Sequence, residues 1–274
     1  MSVNFPNLIF PAPPDIAFNL LGFDVYWYGI TMALAILIAF IAANNLFNGQ
    51  QAYMRRDIVF EYAPIIIVMG ILGARLYYCA LSFDYYIAHP IEILDIREGG
   101  LSIHGAIIGG VLSIIMMAKH YKVPLLRLLD PMACATILGQ AIGRWGNYFN
   151  SEAYGVPILS QKWGVFIPEA KRLAQYANYN CFHPTFLYES IADLIAFFIL
   201  MHVMKNYAQK RYGFTFFLYL VLYSIIRIFI ESLRVDSALD VGGFHFAGIV
   251  SVILFVVGII GLVSVRKEKL FRED

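Results

Sequence analysis

The run GFTFFLYLVLYSIIRIFIESLR, from Gly213 to Arg234, is apolar for most of its length and yet carries an arginine and a glutamate towards its end. Its length matches the roughly twenty residues that a helix needs to cross the hydrocarbon core of a bilayer. Tyr223, Arg227 and Glu231 follow one another at i, i+4 and i+8, so a helix gathers them on one face, with Arg234 further along. A charge inside a span costs about 2.5–3.5 kcal/mol on the insertion scale, which makes each such residue a functional suspect. Glu231 is spaced to hold the Arg227 guanidinium while leaving donors free for an anionic oxygen. The competing reading is a buried pair that only fixes helix packing.

Working outward, six more runs of this kind occur, at roughly 26–46, 58–81, 102–118, 128–148, 186–204 and 246–265, which with 213–232 predicts seven transmembrane helices and an all-α membrane fold. The composition agrees: 60% of residues are hydrophobic and 14% charged, and the mean hydropathy is +0.68, beyond what a soluble core absorbs. A net charge of +1 excludes a basic nucleic-acid footprint. Residues 1–25 contain no Lys or Arg and hold Pro11, Pro13 and Pro14, so they read as an irregular external arm without the charged start of a signal peptide. The polar stretch 149–185 reads as a small external cap between the fourth and fifth spans, and 266–274 as a cytoplasmic tail, all within one membrane domain.

Orientation follows from loop charges, because Lys and Arg are retained in the cytoplasm. One set of alternate connections holds twelve: Arg55, Arg56, Lys119, Lys122, Arg127, Lys205, Lys210, Arg211, Arg266, Lys267, Lys269 and Arg272. The other holds five: Arg97, Lys162, Lys171, Arg172 and Arg234. The N-terminus is therefore expected outside and the C-terminus inside. Arg75, Arg144 and Arg227 remain, one in each outward-running span and each in its outward half. His104 opens the third span from outside, and Tyr28 lies near the outer start of the first. Five costly or polar groups thus converge on the outer leaflet.

The fourth span ends in GRWGNYFNSEAYG, from Gly143 to Gly155. Arg144 and Asn147 share a face there, Asn150 and Glu152 follow, and Gly139, Gly143 and Gly146 permit close approach of a neighbour or ligand. Residues 99–110, GGLSIHGAIIGG, combine a Gly-Gly turn, His104 and a Gly105/Gly109 small-xxx-small pair. His104 alone is compatible with packing or with catalysis. His183-Pro184, ahead of Tyr188 and Glu189, reads as a cap that orients the fifth span, with Asp193 pairing inside the bundle. Cys79, Cys134 and Cys181 lack CxxC or metal-ligand spacing and read as packing residues. No HExxH, carboxylate dyad or Cys/His cluster speaks for a metal hydrolase.

GRWGNYFNSEAYG fits the G-R-x-[GA]-N-x-[LIVMF]-N-x-E-x-x-G signature of prolipoprotein diacylglyceryl transferases at every specified position. The chain also resembles that family at YWYGI around Tyr28, GARLYY around Arg75, GGLSIHG around His104, HPTFLYE around His183 and RIFIESLR around Arg227. The resemblance implies an enzyme of the bacterial cytoplasmic membrane that transfers a diacylglyceryl group from phosphatidylglycerol to the lipobox cysteine of a prolipoprotein. A thioether forms and glycerol phosphate is released, with no cofactor or metal. It also implies seven spans, an external N-terminus and an external cap. It links His104, Arg144 and Arg227 to catalysis or phosphatidylglycerol binding, with Tyr28, Asn147, Glu152, Tyr223 and Glu231 as polar neighbours; Arg75, in the same outer layer, is expected to join substrate binding. The alternative is a secondary transporter of an anionic solute, whose sites usually lie near the midplane between repeated halves. No internal repeat is visible here. An intramembrane scaffold would not need arginines on three helices at one depth.

Overall fold

The computed structural model describes residues 8–49, 57–95, 99–159, 162–207, 211–235, 240–241 and 244–265. In chain order the elements are β1 (Leu8–Phe10), β2 (Ile16–Leu20), β3 (Phe23–Tyr26), α1 (Trp27–Gly49), α2 (Ile58–Leu81), α3 (Phe83–Ala88), α4 (Ile103–Tyr121), α5 (Leu125–Asn150), β4 (Trp163–Phe166), β5 (Cys181–Phe182), α6 (Thr185–Asn206), α7 (Phe214–Leu233), β6 (Asp240–Val241), β7 (Phe244–His245) and α8 (Phe246–Ser264). Among the described residues seven helices, all but α3, are long and apolar enough to span a membrane. Their outward side chains, such as Leu76, Ile107, Phe229 and Ile253, are large, apolar and exposed, as lipid-facing helices require. The expected boundaries hold to within a few residues. α5 starts three residues early, at Leu125, and runs on through Pro131. Of the residues that set the loop-charge argument, Arg55, Arg56, Arg97, Lys210, Arg266, Lys267, Lys269 and Arg272 lie outside the described residues.

The chain divides into two packed units, one of residues 40–131 and one of 1–39 with 132–274. In the first, α2 packs on α4 through glycines. A Cβ at Gly105 would overlap the Gly73 carbonyl oxygen, and one at Gly109 the Met69 carbonyl oxygen, so the two backbones touch as a small-xxx-small pair allows. Gly105→Ala is expected to destabilise this unit by about 1–3 kcal/mol, the usual cost of overpacking where backbone must move. The check is the thermal midpoint of the purified protein in detergent; an unchanged midpoint would mean that α2 and α4 part freely.

In the second unit α6 packs on α7 and α7 on α8. α5 is joined to α6 where Trp145 Nε1 donates to Ser190 Oγ (3.2 Å) and Ser190 Oγ to the Ala141 carbonyl (2.7 Å). The N-terminal arm is not the irregular segment that its prolines suggested. Its β1 pairs in parallel with β4, which pairs antiparallel with β5, and β2 and β3 form a hairpin. The sheet covers a small core of Tyr154, Val165, Ile167, Phe182 and Phe186, with Phe10 and Tyr148 against it. Lys171 ties the arm to the end of α5, its Nζ lying 2.7 Å from both Asp15 carboxylate oxygens and 3.0 Å from the Asn150 carbonyl. Cys79, Cys134 and Cys181 are buried, as packing residues should be. Burial pushes the Cys181 thiol up from its ordinary value, and its Sγ donates to the Trp163 carbonyl (3.2 Å).

Candidate active site

Three spanning helices of one unit bring four charges into a chain. Arg144 of α5 places Nη2 2.7 Å from Glu189 Oε1 of α6. The same oxygen lies 3.6 Å from Arg227 Nη1 of α7, and Arg227 Nη2 lies 2.8 Å from Glu231 Oε2 one turn on. The Glu189 and Glu231 side chains are 3% and 7% exposed, those of Arg144 and Arg227 21% and 13%. The carboxylates are thus the buried backing and the guanidinium groups the more accessible side. At Arg227 Nη1 the contact with Glu189 is an ion pair only, and among the described residues neither this buried nitrogen nor Glu189 Oε1 is in an aligned hydrogen bond. Such a donor in a low-dielectric site is costly unless a ligand takes it up.

Local backbone conformation extends the chain towards Glu152. α5 ends at Asn150, and the next residues alternate, with Ser151 (φ 52°) and Ala153 (φ 55°) in the left-handed region. Non-glycine residues seldom adopt it, and where they do the surroundings must enforce the conformation. Here the Glu152 N–H donates to the Asn147 carbonyl (3.0 Å) and Thr185 Oγ1 donates to the Ala153 carbonyl. The result turns the Glu152 carboxylate back onto the helix end, where its Oε1 accepts from Asn147 Nδ2 (2.8 Å). Asn147 Oδ1 in turn accepts weakly from Arg144 Nη1 (3.4 Å). Gly155 closes the turn where there is no space for a side chain, against His183 Cβ, Thr185 Cγ2 and the Leu233 carbonyl. Arg144, Asn147 and Glu152 are thus linked in one line of hydrogen bonds.

Tyr28 stands at the start of α1 with its ring against Gly146, where a Cβ would come within 2.9 Å of Cδ2, and it lies in the electrostatic field of Glu152 and Arg144. Gly143 and Gly139 make only ordinary contacts, with Met32 and with Ala35 and Ala39, so Gly146 is the glycine that this site needs. Tyr223 stacks on Tyr219 with centroids 5.8 Å apart and feels the charges of Arg227 and Arg144. Asp193, one turn along α6 from Glu189 and 1% exposed, has neither carboxylate oxygen in a hydrogen bond among the described residues, and it lies in the electrostatic field of Glu189, Arg144 and Arg227.

Arg75 and His104 belong to the other unit. The Arg75 guanidinium is taken up by backbone: Nε donates to the Ile93 carbonyl (2.9 Å), Nη1 to those of Gly99 and Gly100 (3.1 Å each), and Nη2 to that of Glu92. Tyr86 lies under its cationic carbon at 5.2 Å. Four donor contacts to carbonyls make it the clasp of the segment between α2 and α4. His104 is the second residue of α4, is exposed, and lies beside the Tyr77 ring (5.9 Å). His183, ahead of α6, has Nδ1 3.0 Å from the Tyr188 hydroxyl, and burial lowers its pKa below the ordinary histidine value. Among the described residues no side chain caps the start of α6, so the contact of His183 with this helix is through Tyr188.

Glu189 is the member of this cluster that the sequence alone does not single out: there it stands beside the start of its helix, whereas in the fold its Oε1 lies against both arginines. The available signal was the acidic pair Glu189 and Asp193 at i, i+4 inside an apolar span, which carries the same cost as the arginines did.

Comparison with known proteins points one way. Residues 15–264 match the family model described as prolipoprotein diacylglyceryl transferase. A phosphatidylglycerol–prolipoprotein diacylglyceryl transferase of Parasynechococcus marenigrum is 39% identical over 272 residues, covering 95% of this chain and 97% of its own. One of a Synechocystis species is 39% identical over 258 residues, covering 93% and 90%. One of Clostridium novyi is 38% identical over 263 residues, covering 94% and 99%.

Proposed function

The chain belongs to the prolipoprotein diacylglyceryl transferase family, and we propose that its arginine cluster binds the phosphate of phosphatidylglycerol while the diacylglyceryl group passes to a prolipoprotein. The protein is a multi-pass membrane transferase acting on these two substrates. The observation that carries the site reading is the pair of arginines from α5 and α7 joined on one carboxylate, with Arg227 Nη1 buried and lacking a hydrogen-bond partner. A phosphate oxygen supplies what that nitrogen lacks.

The acceptor is the lipobox cysteine. Its sulfur bonds to the terminal glyceryl carbon of the diacylglyceryl group as the bond from that carbon to the phosphate oxygen breaks, and the electron pair leaves with the phosphate. The thiol proton goes to a base, a role that the family resemblance offers to His104, and from there to water. Negative charge on the phosphate rises from one towards two as the diester becomes a monoester, so guanidinium groups fixed beside it favour the transition state over the bound lipid. Arg144 holds the ground-state phosphate and Arg227 stabilises the leaving group. Glu231 orients Arg227, Asn147 and Glu152 orient Arg144, and Tyr28 and Tyr223 line the approach. Arg75 serves substrate binding indirectly, by clasping the segment that leads into α4. No metal or cofactor enters this scheme.

The direct test is transfer of label from radiolabelled phosphatidylglycerol to a synthetic lipobox peptide by the purified protein in liposomes. Label in the peptide supports the enzyme; flux of an anionic solute without transfer would replace it by a transporter. For orientation, we propose an external N-terminus and a cytoplasmic C-terminus from the loop charges. A reporter fused after Arg211 is expected in the cytoplasm and one inserted near Lys162 outside. Both reporters on one side would remove the common depth on which the outer-leaflet site rests.

A further inference from the structure

We propose that Glu189 is the positioning residue of this site: it fixes the spacing of the two guanidinium groups and keeps their anion affinity low enough for the phosphate product to leave. The inference rests on the phosphate-clamp reading above and adds a residue and a role to it. One oxygen, Oε1, stands 2.7 Å from Arg144 and 3.6 Å from Arg227, so a single buried carboxylate sets how far apart groups on α5 and α7 are held. Two like charges at this distance repel, and only an opposite charge between them permits both to point into one site. At 3% exposure Glu189 has almost no water to compensate it, so its charge acts on the two arginines at nearly full strength.

The four groups within ion-pair distance, Arg144, Arg227, Glu189 and Glu231, sum to zero charge. Asp193, one turn along α6, acts on Glu189 and both arginines through its field, without a hydrogen bond to them. A cluster of two uncompensated arginines would grip the doubly charged product harder than the singly charged lipid, which favours the chemical step and then traps the enzyme. Glu189 limits that trap. The asymmetry of its contacts divides the labour: Glu189 holds Arg144 closely at 2.7 Å, while Arg227, 3.6 Å away, takes its close contact from Glu231 instead. Glu231 pairs with Arg227 on its own helix, at i, i+4, so that contact sets no spacing between α5 and α7.

The experiment compares wild type, Glu189→Gln and Glu189→Asp in liposomes, normalised to folded enzyme, and reads kcat, KM for phosphatidylglycerol and the inhibition constant of glycerol phosphate. In Glu189→Gln the inhibition constant is expected to fall about tenfold, because one opposing charge is gone, while kcat falls about 10²-fold, because the donors are no longer aimed. In Glu189→Asp, which keeps the charge on a shorter reach, kcat is expected to fall about tenfold with the inhibition constant within about twofold of wild type. Glu189→Gln with wild-type kcat and wild-type inhibition, or with kcat lost and inhibition unchanged or weaker, overturns the proposal in favour of a packing role. If Glu189→Gln does not accumulate, Glu189→Asp decides: wild-type values of both constants overturn it. Glycerol phosphate that fails to compete with phosphatidylglycerol in the wild type would instead remove the phosphate clamp itself, whatever Glu189 does.

Discussion

Arg227→Lys is expected to lower the transfer rate by about 10²- to 10³-fold, the size of effect seen when one preorganised donor is taken from a site of developing negative charge. The residue does two things at once. Its Nη2 lies 2.8 Å from Glu231 while Nη1 remains without a hydrogen-bond partner, a division that a planar fork makes possible and a point charge does not. A lysine at this position must choose between Glu231 and the phosphate, and the nearer, permanently present carboxylate wins. Arg144→Lys is expected to fall in the same direction, since Arg144 likewise serves Glu189 with one nitrogen and Asn147 with the other. The measurement is single-turnover transfer from labelled phosphatidylglycerol, with membrane abundance and thermal midpoint recorded for each variant. Those controls matter because a buried acid that loses its partner can cost about 3–5 kcal/mol of stability. Both lysine variants turning over at the wild-type rate and abundance would end the clamp reading, since charge alone would then suffice.

Which parts of this could be read from residues follows from the range of the forces involved. The spans were legible because a bilayer imposes one length on every crossing helix and a cost on every charge within it, so boundaries such as Ile58–Leu81 emerge from composition alone. The Gly105/Gly109 contact was legible for a related reason: backbone-to-backbone packing tolerates only small residues, and their spacing is written in the chain. β1 was not legible. Three residues carry no periodicity to speak of, and their partner β4 lies some 150 positions on, so the proline-rich arm hid a sheet that exists only through non-local pairing. Arg75 and Arg227 look alike in sequence, both being arginines in the outer halves of spans. One is surrounded by the carbonyls of its own loop and the other by carboxylates and an open donor. That difference lies in where the segment after α3 folds, which no helical pattern encodes. Glu189 was passed over because HPTFLYE begins with residues that really do start a helix, and the function of its last member depends on what α5 and α7 bring to it.

His104→Gln is expected to lose about 30-fold or more near neutral pH and to recover part of that loss as pH rises through the thiol range. The motive is an exposed imidazole at the start of α4, at a position that the family resemblance links to catalysis or lipid binding. A thiol with a pKa of about 8.5 is only a few per cent thiolate at pH 7, so a base that removes its proton supplies roughly 30-fold. A base held in position supplies more, since general-base effects typically reach about 10² to 10⁴. The sign follows from what the variant lacks. Below the thiol pKa the wild type has a proton acceptor where the variant has none, and the ratio of their rates is large. Above it solvent supplies thiolate to both, and the ratio shrinks towards the part that positioning alone contributes. If the imidazole instead holds lipid or a neighbouring helix through hydrogen bonds, glutamine keeps some of that capacity and the ratio does not follow thiol ionisation. The transfer rates of variant and wild type, from about pH 6.5 to 9.5 at saturating lipid and equal abundance, separate the two cases. A constant ratio across that range rejects the base and leaves His104 beside Tyr77 as a packing residue at the mouth of its helix.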